Sequence, residues 1–194
     1  MIYIVSDTHF GHDKPFLYEP RGFNSIEEHD RAIIKNWNSI VEWDDEVIVL
    51  GDIMLNDNIN GRKCWNQLNG HKTVILGNHD SNARVEILEQ APRTEILGYG
   101  APYKYKKYQF FLSHYPCLVS NYDADKPLKT RVINLCGHCH TKDRWQDFDK
   151  GLIYHCELDA HNNYPVALDK IIEEIKEKVY GTDIKYNDRI AGER

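Results

Sequence analysis

No run of apolar residues in this chain of 194 amino acids approaches the roughly 18 that a membrane span requires. Basic residues are also in short supply, with 24 Lys and Arg against 30 Asp and Glu and a net charge of -6. Such a balance disfavours a simple electrostatic grip on nucleic acid, because counterion release needs a basic face; a pair of bound divalent cations would change the field locally. The five cysteines, Cys64, Cys117, Cys136, Cys139 and Cys156, are odd in number and irregularly spaced. That excludes a closed disulfide framework and leaves reduced thiols as the expectation. Repeats and low-complexity linkers are missing too. Met1 to Asp7 holds four apolar residues before an acid, with no basic leader and no small-residue cleavage site, so the expected location is the cytoplasm.

What is present fits one globular domain. The chain is 41% hydrophobic and 28% charged, enough for a single stable core. Residues 1–181 are read as that domain and 182–194 as a polar tail or docked extension. Short runs rich in Val, Ile, Phe and Tyr alternate with polar loops and helical patterns, the layout of an α/β or α+β fold. One helix is expected from the capping box Ser25-Ile26-Glu27-Glu28, in which Ser25 and Glu28 satisfy each other's backbone N–H groups. Its apolar face is Ile33, Ile34, Trp37, Ile40 and Val41. A second helix carries Leu168, Ile171, Ile172, Ile175 and Val179 and is closed by Gly181.

Five expected strands share one feature. Ile2 to Val5 runs into Ser6-Asp7, Val47 to Leu50 into Gly51-Asp52, and Thr73 to Leu76 into Gly77-Asn78. Gln109 to Leu112 runs into Ser113-His114, and Arg131 to Cys136 into Gly137-His138. Each apolar strand is followed by one small residue and then a metal-type ligand. Carboxyl ends of strands form the ligand-binding edge of α/β sheets, and Ser or Gly there leaves room for neighbouring side chains to converge.

The polar residues at these ends are Asp7, His9, Asp52, Asn78, His79, Asp80, His114, His138 and His140. Mixed oxygen and nitrogen donors suit manganese, iron, nickel or zinc better than magnesium or calcium. Seven of the nine suffice for two ions if one carboxylate is shared, which favours Asp52 as a bridge. The competing motif in the same stretch, Cys136-x-x-Cys139, lacks the further soft ligands a zinc site needs. It also ends a strand late in the chain, where a thioredoxin-like redox pair would open a helix.

In order and spacing, Asp7-x-His9, Gly51-Asp52, Gly77-Asn78-His79-Asp80, Ser113-His114 and Gly137-His138-x-His140 resemble the calcineurin-like metallophosphoesterase superfamily. Asp7-Thr8-His9-Phe10-Gly11-His12, Trp37-Asn38 and Pro165-Val166-Ala167-Leu168-Asp169 look like a small bacterial or phage branch of it. The resemblance implies a four-layer sandwich of two facing mixed β-sheets flanked by helices, with the site at one edge. It implies Asp7, His9, Asp52 and His140 around one divalent ion, and Asp52, Asn78, His114 and His138 around the other, with manganese favoured. Two cations about 3.5 to 4 Å apart can clamp a phosphate and lower the pKa of a bridging water to about 7. The expected reaction is attack of that hydroxide on a phosphomonoester or small phosphodiester. His79, unneeded in either shell, is expected to be the general acid.

Alternatives from other classes are a nuclease or cyclic-nucleotide phosphodiesterase, and a scaffold that has lost catalysis. Protein Ser/Thr phosphatases of the superfamily place Asp and Arg after the bridging acid, whereas Asp52 is followed by Ile53-Met54-Leu55-Asn56. The partner of His79 is then Asp80 or Asp57. His12 either reaches substrate or caps a turn. Arg21 either meets a phosphate oxygen bidentately or is a solvated loop residue. His29 and His71 are expected on the surface, and His155 and His161 at the cleft rim or without a role. Tyr103-Lys104-Tyr105-Lys106-Lys107-Tyr108 reads as a half-exposed strand, Tyr inward and Lys outward, in preference to a base-stacking platform. Trp65 and Leu68 are expected in the core. The partner implied is a phosphate-ester substrate, a nucleotide included; protein partners are not legible.

Overall fold

The computed structural model describes residues 1–119, 128–146 and 152–181. Two five-stranded mixed sheets face each other. In the first, β1 (Ile2–Val5), β2 (Glu46–Val49), β3 (His71–Ile75) and β4 (Thr94–Gly98) run parallel, and β10 (Val166–Ala167) joins β1 antiparallel. In the second, the order is β5 (Gly100–Tyr105), β6 (Tyr108–Ser113), β7 (Val132–Cys136), β9 (Leu152–His155) and β8 (Trp145–Gln146). There β6, β7 and β9 are parallel and the two edge strands antiparallel. The five strands expected from sequence are β1, β2, β3, β6 and β7.

The central parallel strands read as unbroken apolar runs because both faces are covered. Tyr3, Val5, Val47, Val49 and Val74 point to one face of the first sheet. They meet α2 (Ile26–Asn38), α3 (Asn58–Trp65) and α4 (Asn82–Glu89) through Ile33, Trp37, Trp65 and Leu88. Ile4, Ile48, Leu50 and Ile75 point the other way, against Tyr108, Phe110, Leu112, Ile133 and Leu135 of the second sheet. Helix α5 (Leu168–Tyr180) enters the same inter-sheet core through Ile171, Ile172 and Ile175. A short helix, α1 (Pro15–Tyr18), follows the first strand-end loop. No helix among the described residues is long and apolar enough to cross a membrane.

Three local expectations are met and two are corrected. Tyr103 and Tyr105 lie partly buried against the second core while Lys104 and Lys106 are exposed, the alternation of a half-exposed strand, although that strand ends at Tyr105 and Lys106-Lys107 turn the chain into β6 at Tyr108. Trp65 and Leu68 are core residues. Gly181 caps α5 with a positive φ of 72°. At the start of α2, Ser25 Oγ accepts the Glu28 N–H at 3.2 Å, but Glu28 does not return the bond to Ser25. Its carboxylate takes the N–H of Asn24 at 2.9 Å, drawn one residue back by the Asn24 amide, which donates to the same oxygen. His29 is fully buried, contrary to the surface expectation. It lies one helical turn from Ile26 and Ile33, so the α2 stripe that buries those residues buries it as well. The expected tail at 182–194 lies outside the described residues.

Thermal unfolding should separate the two kinds of support for α2. Ser25→Ala is expected to cost about 1 kcal/mol, the worth of an N-cap. Trp37→Ala, which empties a fully buried site, is expected to cost about 3 to 5 kcal/mol.

Candidate metal centre

The two sheets are joined at their carboxyl edges. Ser6 N donates to Cys156 O, Leu158 N to Ser6 O, and Ser6 forms an isolated parallel bridge with Glu157. Beyond β1 the chain stays registered with the loop after β2 through Asp7 N to Gly51 O, His9 N to Asp52 O and Phe10 N to Ile53 O. At this edge the backbone turns left-handed at Asp7, His9, Asp52, His138 and His140, with φ between 48° and 74°. Non-glycine residues seldom adopt that region, and clusters of them mark functional sites.

At the three strand ends that carry glycine, the missing side chain is required by space. A methyl group on Gly137 would collide with Ser6 Oγ and Asp7 Oδ2, and one on Gly77 with the Asp52 carboxylate. Gly51 additionally sits at a φ of 89°.

Two groups of donor atoms converge there. Asp7 Oδ1 lies 3.6 Å from His9 Nε2 and 3.6 Å from His140 Nε2, and the two imidazole nitrogens are 3.2 Å apart. In the second group, His114 Nε2 lies 3.2 Å from His138 Nδ1, 3.0 Å from Asn78 Oδ1 and 3.3 Å from Asp52 Oδ2. Asp52 Oδ2 is also 3.6 Å from His9 Nε2, so this one oxygen faces both groups. Ligands about 2.0 to 2.2 Å from a common ion have just such mutual separations.

Hydrogen bonding on the far side of two of the four rings supports the fit. His114 Nδ1 donates to Leu50 O at 2.8 Å, and His140 Nδ1 to Asp159 Oδ2 at 3.0 Å. Both acceptors lack a proton, so each ring donates from Nδ1 and turns its Nε2 into the cluster, where a bound ion would take the place of any proton it carries. Asp7 Oδ1 is buried with no hydrogen-bond partner among the described residues. Facing acceptors of this kind repel one another unless positive charge lies between them, and the residues present therefore fit a divalent ion in each group.

Titration shifts record the same field. Burial alone would raise the Asp7 carboxyl, but His9, His140 and His114 hold it well below the usual carboxylate range. Burial opposes the charged form of His114, yet its bond to Asp52 and the charges of Asp7 and Asp52 push the imidazole up to about 9. His140 is raised against burial by Asp159 and Asp7, whereas burial dominates at His9 and lowers it.

A family model described as the calcineurin-like phosphoesterase superfamily domain matches residues 1–157. The chain belongs to that superfamily. A curated relative, an uncharacterized protein of Methanocaldococcus jannaschii, is 31% identical over 181 residues, covering 90% of this chain and 91% of the relative. The gene 66 protein of a mycobacterium phage is 29% identical over 163 residues, covering 72% of this chain and 77% of its own. Among solved structures, a protein of unknown function from Aquifex aeolicus matches with a TM-score of 0.63 at 21% identity. That match covers 89% of this chain and 98% of the other and shows a shared fold.

Within this calcineurin-like frame, the remaining candidates fall in different places. His79 stands beside the two groups, its ring 41% exposed and its Nε2 3.9 Å from Asp52 Oδ2. Its backbone is fixed, N donating to Asp52 Oδ1 at 2.8 Å and O accepting from Arg84 Nη1. The His12 ring lies 5.2 Å from that of His9 and 6.4 Å from that of His79, and burial beside them lowers its pKa to about 4.

Asp80, expected to serve catalysis, is a structural clamp. Its two oxygens accept the N–H groups of Gly77 at 2.8 Å, Asp52 at 2.9 Å and Ile53 at 3.1 Å, binding the loop after β3 to the loop after β2. Asp57 caps α3 through the N–H of Asn60. Both carboxylates are therefore committed to backbone, and neither is presented to the His79 ring.

Arg21 is equally misplaced as a phosphate ligand, since its side chain is fully buried and tied to Asp159, Asp7 O and His29. His155 and His161 are buried as well, bonded to Glu157 and to the carbonyl of His155. Among the cysteines none is bridged; Cys136 is buried behind the strand end and Cys139 is exposed.

Three contributors had no signal in the sequence: Asp159 behind His140, Arg84 behind His79, and Tyr115, whose ring packs 4.6 Å from His138. Their partners lie on other elements, which periodicity does not reveal.

Asp80→Ala leaves three buried N–H donors without acceptors, each costing about 1 to 3 kcal/mol. The expected outcome is a large drop in thermal midpoint, with the metal content of whatever remains folded falling in parallel. A variant that melts like the parent protein and has lost only turnover would restore a catalytic role.

Proposed function

We propose that this chain is a hydrolase of phosphoric esters that works with two divalent cations, manganese favoured, on phosphomonoesters or small phosphodiesters. The observation that carries the reading is the shared position of Asp52 Oδ2, within 3.6 Å of His9 Nε2 and 3.3 Å of His114 Nε2, one from each donor group. Membership of the calcineurin-like phosphoesterase superfamily supports it.

On this reading Asp7, His9 and His140 hold one ion, Asn78, His114 and His138 the other, and Asp52 both. Bound there, the pair supplies Lewis acidity toward a phosphate and toward the water that attacks it. The protein's own part is geometric and acidic. All seven ligands lie one to four residues past the ends of β1, β2, β3, β6 and β7, on loops whose backbones are bonded to one another, so their separations are largely set before substrate arrives. His79, rigid in its backbone and exposed in its ring, protonates the departing oxygen. His12, neutral at pH 7, offers a hydrogen bond at the rim.

An open site of this kind suits exposed phosphates and small diesters. The feature that favoured nucleic acid, the Tyr-Lys segment, turns its tyrosines inward. Intact donor groups argue against a scaffold without catalysis.

Asp52→Asn should reduce turnover to near background while circular dichroism and the melting curve stay those of the parent; near-normal activity would remove the bridge. His79→Ala should slow esters with poor leaving groups by about a hundred- to ten-thousand-fold and p-nitrophenyl esters far less. Equal losses on both would show that His79 is no acid. Substrate preference is read from one panel crossing manganese, nickel, zinc and magnesium with p-nitrophenyl phosphate, its bis ester and a 2′,3′-cyclic nucleotide. Under this proposal a mixed-donor metal gives the highest rate and magnesium one of the lowest.

A further inference from the structure

His140 differs from its companions Asp7 and His9, which are buried. Its side chain is 35% exposed, on the loop that follows β7. A ligand so placed needs something to hold its ring. Asp159, on the 3-10 turn Leu158–His161, provides the contact, its Oδ2 3.0 Å from His140 Nδ1.

Asp159 is in turn gripped by Arg21 in a two-point fork, Nε to Oδ1 at 3.1 Å and Nη2 to Oδ2 at 2.7 Å. Bidentate geometry of this sort fixes orientation as well as charge. The same guanidinium donates to the backbone carbonyl of Asp7 at 2.8 Å and meets His29 Nε2 at 3.0 Å. His29 continues to Asp30 at 2.9 Å, and Asp30 accepts the N–H of Gly11 at 3.0 Å. One buried cation thus spans the loop that bears Asp7 and His9 and the carboxylate that aims His140.

Among the described residues nothing equivalent stands behind the other group. His114 leans on the carbonyl of Leu50, part of the sheet edge itself. We propose that Asp159 and Arg21 are a positioning pair for His140, on which retention of the ion held by Asp7, His9 and His140 depends while the ion at Asn78, His114 and His138 does not. This rests on the two-ion reading above. Partners of metal-bound imidazoles typically change affinity by about ten- to a hundredfold when removed.

The test is manganese binding to the full chain after metal removal, followed by calorimetry and by electron paramagnetic resonance, which distinguishes an isolated ion from a coupled pair. Asp159→Ala strands a buried guanidinium and is liable to misfold, so Arg21→Met/Asp159→Ala, which removes both charges, is measured beside it. The expected result is two ions per wild-type chain. In the double variant one ion binds as in wild type and the other is weakened ten- to a hundredfold, with loss of the coupled signal. Adding His140→Ala to the double variant should cost less than adding it to wild type, because all three changes act on one ligand.

Weakening both ions equally, leaving both affinities intact, or fully additive losses would each overturn the pairing. A wild-type chain that binds fewer than two manganese ions fails the two-ion reading itself, before any variant is compared.

Discussion

Everything at the carboxyl edge is arranged around the carboxylate of Asp52. One oxygen takes the N–H of His79, the other faces imidazoles from both donor groups, and the residue's own N–H is held by Asp80. That position exists only because Gly77 has no side chain to displace it and because Gly51 adopts a backbone closed to most residues. The sheets supply the rest: β1, β2 and β3 set three ligand-bearing loops side by side in parallel register, and the Ser6 to Glu157 bridge sets the second sheet's loops against them.

Much of this was legible in the sequence for a physical reason. Parallel strands buried on both faces give unbroken apolar runs, and the residue after each run must be small and the next polar for several loops to meet. Ser6-Asp7, Gly51-Asp52, Gly77-Asn78, Ser113-His114 and Gly137-His138 state that pattern without reference to any contact. Helices α2 and α5 were visible through their stripes, and the Tyr-Lys segment through its alternation.

What stayed hidden depends on partners far away in the chain. Arg21 reads as a loop arginine, and only the fold brings it to Asp159, 138 positions on. Asp80 reads as one more acid in a metal motif, yet three N–H groups on two loops claim it. His29 is a different matter, since its place one turn from Ile26 and Ile33 was in view and its polarity outweighed the stripe.

The left-handed backbone at Asp7, His9, Asp52, His138 and His140 has a bearing on which amino acids the centre can ever accept. Asp, Asn and His tolerate that conformation several-fold more often than other side chains, and most others are penalised by roughly 1 to 2 kcal/mol. The donor alphabet is therefore constrained twice, by the ion and by the turn that presents it. Exchanging a histidine here for cysteine or glutamate would incur a conformational penalty before any metal bound. Drift toward thiolate-based metal chemistry is resisted by the main chain itself, whereas Asp or Asn could stand in for a histidine without that penalty.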